Sequence, residues 1–228
     1  MSAQNKICAL IPAFNEADVI ASVIKEVKEH IATVFVVDDG SNDGTADVAE
    51  KAGAICLRRE RNQGKGAALR QGIAYLVERD FSHVLLIDGD GQHRPADIPS
   101  LIRVANETGV DMVIGARPFD RLRMPRERFF SNSLGSKIAS ILVGREIKDS
   151  QSGFRLIRID RLRDLRLRAK KYEIEMEILI KMSLAGRSIT HAPVCMVYEN
   201  DKARSKMRPV RDTIRICFWS LFFRFLRL

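Results

Sequence analysis

An α/β fold built on a mostly parallel sheet follows from three features of this 228-residue chain. Short apolar runs alternate with segments of helical periodicity as far as about residue 115. The runs are continuously apolar, as in strands buried on both faces. Three of them end in polar clusters: Asn15-Glu16, Asp38-Asp39 and Asp88-Gly89-Asp90. Ligands of parallel sheets bind beyond the carboxyl ends of the strands, so these clusters are expected to converge.

The elements can be read in order. Residues 7–11 form the first strand, which Pro12 stops. Val19, Ile20, Val23, Ile24, Val27 and Ile31 make one helical stripe, with Lys25, Glu26, Lys28 and Glu29 off it. Residues 34–37 are a second strand. Asp43 or Thr45 is suited to cap the next helix, and Gly53 to end it. Residues 54–57 read as a third strand, 66–78 as a helix and 84–87 as a fourth strand. Pro95 fits the first turn of a helix running to about residue 106. Residues 112–114 make a fifth strand. An arginine-rich loop, 117–128, precedes helices at 129–143 and 172–184. Residues 189–197 read as a strand that Pro193 confines to a sheet edge or a bulge.

The length suits one sizeable domain, residues 1–208, followed by a basic and aromatic C-terminal helix at 209–228. With 46% hydrophobic and 29% charged residues the chain is globular in composition. The net charge of +9 calls for an anionic partner. Zinc-ligand spacing, a stacking platform and a helix-turn-helix signal are all missing, which disfavours nucleic acid. Cys8, Cys56 and Cys195 lie in apolar runs and are expected to be buried, reduced thiols, consistent with a cytoplasmic setting. The first residues are polar rather than leader-like, and no apolar run reaches the ~18 residues of a membrane span. The C-terminal segment mixes cations with Phe218, Trp219, Phe222 and Phe223, a pattern suited to a membrane interface. The alternative is packing on its own domain or on a second copy of the chain.

Asp88-Gly89-Asp90 closes the apolar run Val84–Ile87. Like charges that close repel unless a cation neutralises them. Mg²⁺ or Mn²⁺ takes carboxylate oxygens and is often shared with substrate phosphates. Asp88, Asp90 and Gln92 alternate, so an extended chain would turn all three to one side. His93 reads as a packing or turn residue. Asn62-Gln63-Gly64-Lys65-Gly66 leads into a helix, so its amides and Lys65 suit a diphosphate. Glu175 and Glu177 are two apart on a helix and cannot share its face.

Taken together, these stretches resemble a family-2 glycosyltransferase of the nucleotide-diphosphosugar (GT-A) fold, and within it the dolichyl- or polyprenyl-phosphate sugar transferases. The matching motifs are Pro12-Ala13-Phe14-Asn15-Glu16, Val37 to Thr45, Asn62 to Gly66, Asp88 to His93, Gly115-Ala116-Arg117, Asp149 to Arg155 and Glu175-Met176-Glu177. The QxxRW motif of processive polysaccharide synthases is missing, which argues against polymer synthesis.

The resemblance implies an inverting, metal-dependent transfer of a sugar from a nucleotide-diphosphate donor to a polyprenyl phosphate at the inner face of a membrane. It implies that Pro12, Ala13, Asn15, Glu16, Asp39, Lys65, Asp88 and Gly89 bind the nucleotide-sugar. Asp88, Asp90 and Gln92 would hold Mg²⁺ or Mn²⁺. Asp90, Asp149 and Gln151 would be catalytic, and Arg117, Arg128, Ser131, Ser205 and Lys206 would hold the acceptor phosphate. Arg204 stands where the related Gly-Ser-Lys acceptor loop carries glycine. With a hydroxyl acceptor Asp149 would serve as general base; a phosphate monoester is already largely ionised at neutral pH and needs none.

Overall fold

The computed structural model describes residues 6–118, 126–195 and 209–225. Its elements are β1 (Ile7–Ala13), α1 (Ala17–Lys28), β2 (Thr33–Asp38), α2 (Thr45–Lys51), β3 (Ile55–Arg58), α3 (Lys65–Leu76), β4 (His83–Leu86), α4 (Ile98–Thr108), β5 (Met112–Ala116), α5 (Arg126–Val143), β6 (Arg155–Arg158), α6 (Ile174–Leu184), β7 (Ile189–Pro193) and α7 (Pro209–Phe225). Seven strands form one sheet in the order β3-β2-β1-β4-β6-β5-β7. All neighbours are parallel except those of β6, which runs against β4 and β5.

The expected mostly parallel α/β sheet is what forms, and its apolar runs are buried on both faces. Along β1, Cys8 and Leu10 enter one core layer with α3, α5, α6 and α7. Ala9 and Ile11 enter the other, with α1 and α4. This alternation with no polar face is why the strands read as unbroken apolar runs.

β6 was not anticipated. Its sequence, Arg155-Leu156-Ile157-Arg158, has only two apolar residues between arginines, and Arg155 is wholly buried. Three backbone carbonyls accept from its guanidinium: Ser152 O at 2.8 Å, Ser150 O at 2.7 Å and Glu175 O at 2.6 Å. A buried cation is tolerated when its donors are satisfied in this way.

Other boundaries shift. The helix expected from residue 172 starts at Ile174, and the strand expected to reach 197 ends at Pro193. β7 is an edge strand, where the missing proline N–H costs no ladder bond. Asp43 serves the start of α2 as expected, its Oδ1 accepting from Thr45 N at 3.0 Å, and it also reaches α1: its Oδ2 accepts from Ala17 N at 3.1 Å, while Thr45 Oγ1 accepts from Glu16 N at 2.8 Å. These residues therefore tie the starts of α1 and α2 together. Cys8 is buried as expected, whereas Cys56 is half-buried and Cys195 is exposed, because the strand stops before it. α7 packs on α5 and α6, giving Ile216 and Phe223 to the core.

Candidate active site

A cavity of about 350 Å³ opens beyond the carboxyl ends of β1, β2 and β4. Pro12, Ala13, Glu16, Asp39, Lys65, Asp88, Gly89, Asp90, Gln92, Arg117 and Gln151 line it. The polar clusters therefore converge as the topology requires. Asn15 does not line the cavity. It adopts φ 50°, a left-handed conformation that asparagine tolerates, and its side chain accepts from Asn42 N at 3.1 Å. Asp149 and Ser131 are buried behind the wall rather than in it. The side chain of Arg128, and Ser205 and Lys206 altogether, lie outside the described residues.

The β2 end is fixed by its own loop. Asp38 Oδ1 accepts from Ser41 N at 3.2 Å, while the Asp39 carboxylate accepts from Gln63 N at 3.1 Å and Gly64 N at 2.6 Å. Arg59 lies 3.0 Å from Asp39. Gly66 lets α3 start hard against the 169–171 segment: a Cβ there would sit 2.7 Å from Ala169 O.

The Asp88–Gln92 segment departs from the extended form expected of it. Gly89-Asp90 is a turn and Gly91 has φ +74°, so alternation along a strand cannot apply. Gln92 folds back instead, donating from its backbone N at 3.1 Å and its Nε2 at 2.8 Å to the Asp90 carboxylate. Asp88 faces Lys65, whose Nζ is 2.6 Å from Oδ1 and also pairs with Glu175. Gly153 permits this approach, since a Cβ there would lie 2.7 Å from Asp88 Oδ2.

The electrostatics follow from these contacts. Burial opposes the charge on Asp88, but Lys65 holds its carboxyl below the usual range. Burial and then the Asp88 charge push Asp90 up to about 6. Burial raises Glu175 as well, against the pull of Lys65. Burial lowers His93 to about 4, leaving a neutral ring 5.3 Å from Phe154 with Nε2 3.9 Å from Asp88. Two carboxylates that resist joint ionisation are what a divalent cation relieves, so Asp88, Asp90 and the Gln92 amide fit a hard metal. Among the described residues no cluster of three His, Cys, Asp or Glu side chains meets metal-binding geometry. A metal here would therefore complete its shell from the amide and from substrate oxygens.

On the opposite wall Arg117 meets Asp149. Its Nη2 donates at 2.8 Å to Oδ1 and its Nε at 2.5 Å to Oδ2, and its backbone N reaches Oδ2 at 3.3 Å. Asp149 is 0% exposed. Gln151 Nε2 approaches Thr213 Oγ1 of α7 at 3.4 Å.

Sequence reasoning missed Tyr172 and Ile216, both in the cavity lining. Glu175 and Glu177, which cannot share one helix face, are nevertheless both buried. Glu177 accepts from Arg168 N at 2.9 Å and Ala169 N at 2.7 Å and pairs with Lys181 at 2.8 Å. Glu175 lines the cavity and Glu177 binds the 168–169 backbone, because α6 starts beneath the 168–171 segment. The sequence signal for this was two glutamates within the apolar first turns of the helix.

A mostly parallel sheet with an acidic hook, a glycine-rich helix entry and an arginine–aspartate pair around one cleft is a fold of the GT-A type. Residues 8–166 match the family described as Glycosyl transferase family 2, and the chain belongs to it: it is a family-2 glycosyltransferase. It is 29% identical to the undecaprenyl-phosphate mannosyltransferase of Micrococcus luteus, over 89% of this chain and 87% of that one. It is 28% identical to the UDP-N-acetylglucosamine–dolichyl-phosphate N-acetylglucosaminyltransferase of Methanococcus voltae, over 99% of this chain and 97% of that one. Its fold is similar to that of glucosyl-3-phosphoglycerate synthase from Mycobacterium tuberculosis, solved with Mn²⁺, UDP and phosphoglyceric acid. That likeness has a TM-score of 0.73 at 22% identity, covering 99% of this chain and 79% of the other.

Proposed function

We propose that this enzyme moves a sugar from a nucleotide-diphosphate donor to a polyprenyl phosphate, with inversion, at the cytoplasmic face of a membrane. One observation carries the choice of acceptor. Both oxygens of Asp149 are engaged by Arg117, and the carboxylate is fully buried. It is therefore poorly placed to take a proton from a hydroxyl. An acceptor that arrives ionised needs no base, and the Arg117 guanidinium, held flat by Asp149 at the cavity wall, suits a phosphate. The named acceptors of the Micrococcus and Methanococcus relatives support the same reading.

In this account Pro12, Ala13, Glu16 and Asp39 hold the nucleoside end of the donor. Asn15 acts indirectly, by fixing the loop that carries Ser41 and Asn42. Asp88, Asp90 and Gln92 would hold Mg²⁺ or Mn²⁺, which would supply positive charge against the departing diphosphate. Lys65 supplies a second cation beside Asp88. Arg117, with Arg128, Ser205 and Lys206, aims the acceptor oxygen at the anomeric carbon, while Ser131, buried behind the wall, does not reach it. That oxygen forms the new C–O bond as the bond to the diphosphate oxygen breaks, and the bond pair leaves with the nucleoside diphosphate. Attack from the face opposite the leaving group inverts the centre. Gln151 orients the reacting groups from the wall.

The test is a panel of UDP- and GDP-sugars with Mn²⁺ against matched polyprenyl phosphate and polyprenol. Transfer to the phosphate alone is expected. Transfer to the alcohol and not to the phosphate would overturn the reading.

A further inference from the structure

We infer that His191 is a positioning residue for the acceptor side, and that the Arg117–Asp149 pair keeps its geometry only while this imidazole is neutral. The effect on turnover rests on the proposed acceptor; the coupling of His191 to the pair does not. The segment that carries Asp149 is held by side chains. Ile147 N donates to Ser140 Oγ at 2.9 Å, Lys148 N to His191 Nε2 at 3.2 Å and Ser150 N to Ser136 Oγ at 3.0 Å. Ser136 and Ser140 belong to α5, so their bonds set the segment against a helix. His191 belongs to β7 and ties the segment to the sheet.

Arg117 follows directly from β5, and β5 is the strand that pairs with β7. Ile114 lies opposite His191, and Gly115 and Ala116 lie opposite Ala192 and Pro193. Both members of the ion pair are therefore referred to one edge of the sheet, Arg117 through β5 and Asp149 through β7. The face of the ring follows from strand alternation. Ala192 enters the core layer of α1 and α4, whereas Ile189 packs in the layer of α5 and α6. His191 sides with Ile189, toward α5 and the loop that follows it.

This bond fixes the state of the ring. A backbone N–H donates only to a ring nitrogen with a free lone pair, so Nε2 is bare and the proton of the neutral ring sits on Nδ1. A second proton would go to Nε2 and set one donor against another. The serine hydroxyls cannot fail in this way, because they do not titrate. Lys148, Asp149 and Glu146 act on the ring from the 146–149 segment, and Arg155 acts from β6. β5 carries no titratable side chain between Met112 and Ala116. The charged residues of α4, which packs on β7 from the other layer, are Arg103 and Glu107, both exposed and 3.7 Å from each other. Burial and then Lys148 hold His191 below the ordinary histidine range, so the ring is neutral at neutral pH.

Acid thus releases the Lys148 amide, and the next residue along, Asp149, loses its register with the guanidinium that it holds at the cavity wall. The donor side is spared. Its groups stand at the ends of β1, β2 and β4 and share no hydrogen bond with His191.

The first measurement is nuclear magnetic resonance of the whole chain, labelled with nitrogen-15, without metal or substrates. Solvent exchange of the Arg117 Nε–H, which donates to Asp149, is compared between the unmodified chain and His191→Gln from pH 7.5 to 5. The glutamine amide oxygen stands near the place of Nε2, accepts the same bond and does not titrate. Exchange slows with acid in both proteins, so their ratio is what is read. It should be near one at pH 7.5 and rise about fivefold as the ring charges, the scale of one hydrogen bond. The second measurement is turnover of a short, water-soluble prenyl phosphate at pH 7.5 and 5.5. Ionisation of the acceptor and of Asp90 acts on both proteins alike and cancels in the ratio of their acceptor KM values. That ratio should also rise about fivefold, with the donor KM ratio unchanged. His191→Phe, which cannot accept, should show the raised acceptor KM already at pH 7.5, where His191→Gln restores it. An exchange ratio flat across the pH range would overturn the inference. So would a donor KM raised by His191→Phe as much as the acceptor KM, which marks a general loss of structure. If His191→Phe does not fold, the glutamine comparison alone decides. An exchange ratio that rises as expected, with no transfer to any prenyl phosphate, would overturn the proposed acceptor and leave the role of His191 standing.

Discussion

The donor and acceptor sides of the cleft are built differently. On the donor side, several short loops fold onto themselves, although Asp39 and Asp88 reach across to the loop and helix at 63–65. Asp38 is satisfied by Ser41 and Asp43 by Thr45, while Gln92 closes on Asp90 two residues away. On the acceptor side every fixed group depends on a distant one. Arg117 is paired with Asp149, Gln151 touches Thr213, and Glu173 receives Arg215. A locally closed loop keeps its shape when one residue changes. A long-range pair leaves a buried partner behind, so damage there should spread into stability as well as activity.

The largest expected effect breaks the donor side without unfolding it. Asp88→Ala should lower kcat/KM by about 10³-fold or more, the scale of ~4 kcal/mol of lost charge stabilisation. Mn²⁺ should no longer give a binding isotherm, while the melting temperature stays close to that of the unmodified chain. Retained activity and Mn²⁺ uptake would remove the hook from the mechanism.

Arg117→Ala should do what Asp88→Ala does not. It leaves the Asp149 carboxylate buried and uncompensated, a change that costs about 3–5 kcal/mol in comparable pairs. The melting temperature should fall by roughly 10 °C. Adding Asp149→Asn should return most of the stability but not the transfer to a phosphate acceptor. Calorimetric melting beside acceptor KM separates the two effects.

This contrast also explains what could be read from the sequence. The donor side was legible because its residues sit at strand ends, where a parallel sheet gathers polar groups. Asp39, Asp88 and the Asn62–Gly66 loop announced themselves by composition and place. The turn at Gly91 was not legible, because alternation of residue types cannot reveal a positive φ. On the acceptor side the residue types were visible but not their pairings. Arg117 and Asp149 are separated by a whole helix, and nothing local says that one buries the other. β6 was hidden for the same reason: the carbonyls that make Arg155 tolerable come from the 150–152 loop and from α6.

Asp149→Asn alone gives a smaller effect and sharpens the acceptor question. If the residue orients Arg117, an amide keeps one acceptor for the guanidinium, and kcat should fall by about tenfold or less, with a rise in acceptor KM. A fall near 10⁴-fold with donor binding intact would mark a general base and favour a hydroxyl acceptor.

The smallest effect tests whether the hook is strained without its cation. The folded pKa of Asp90, about 6, lies above its ordinary value of 3.8. Protonated Asp90 therefore favours the metal-free fold below about pH 4, and that contribution is lost as the pH rises through 6. At pH 7.5 the ionised carboxylate, pressed against Asp88, should cost ~1–2 kcal/mol after allowance for its partial exposure. Asp90→Asn should accordingly melt ~2–5 °C above the unmodified chain when no metal is present, and the gap should close near pH 4. Mn²⁺ reverses the order, because ligation requires the ionised form: it should raise the melting temperature of the unmodified chain and leave Asp90→Asn unmoved. Mn²⁺ affinity of the unmodified chain should weaken below pH 6 as the proton competes for the same oxygens. If Asp90→Asn melts lower at every pH without metal, the two carboxylates are not in conflict, and the donor side is held by something other than the charge balance between Asp88, Asp90 and Lys65.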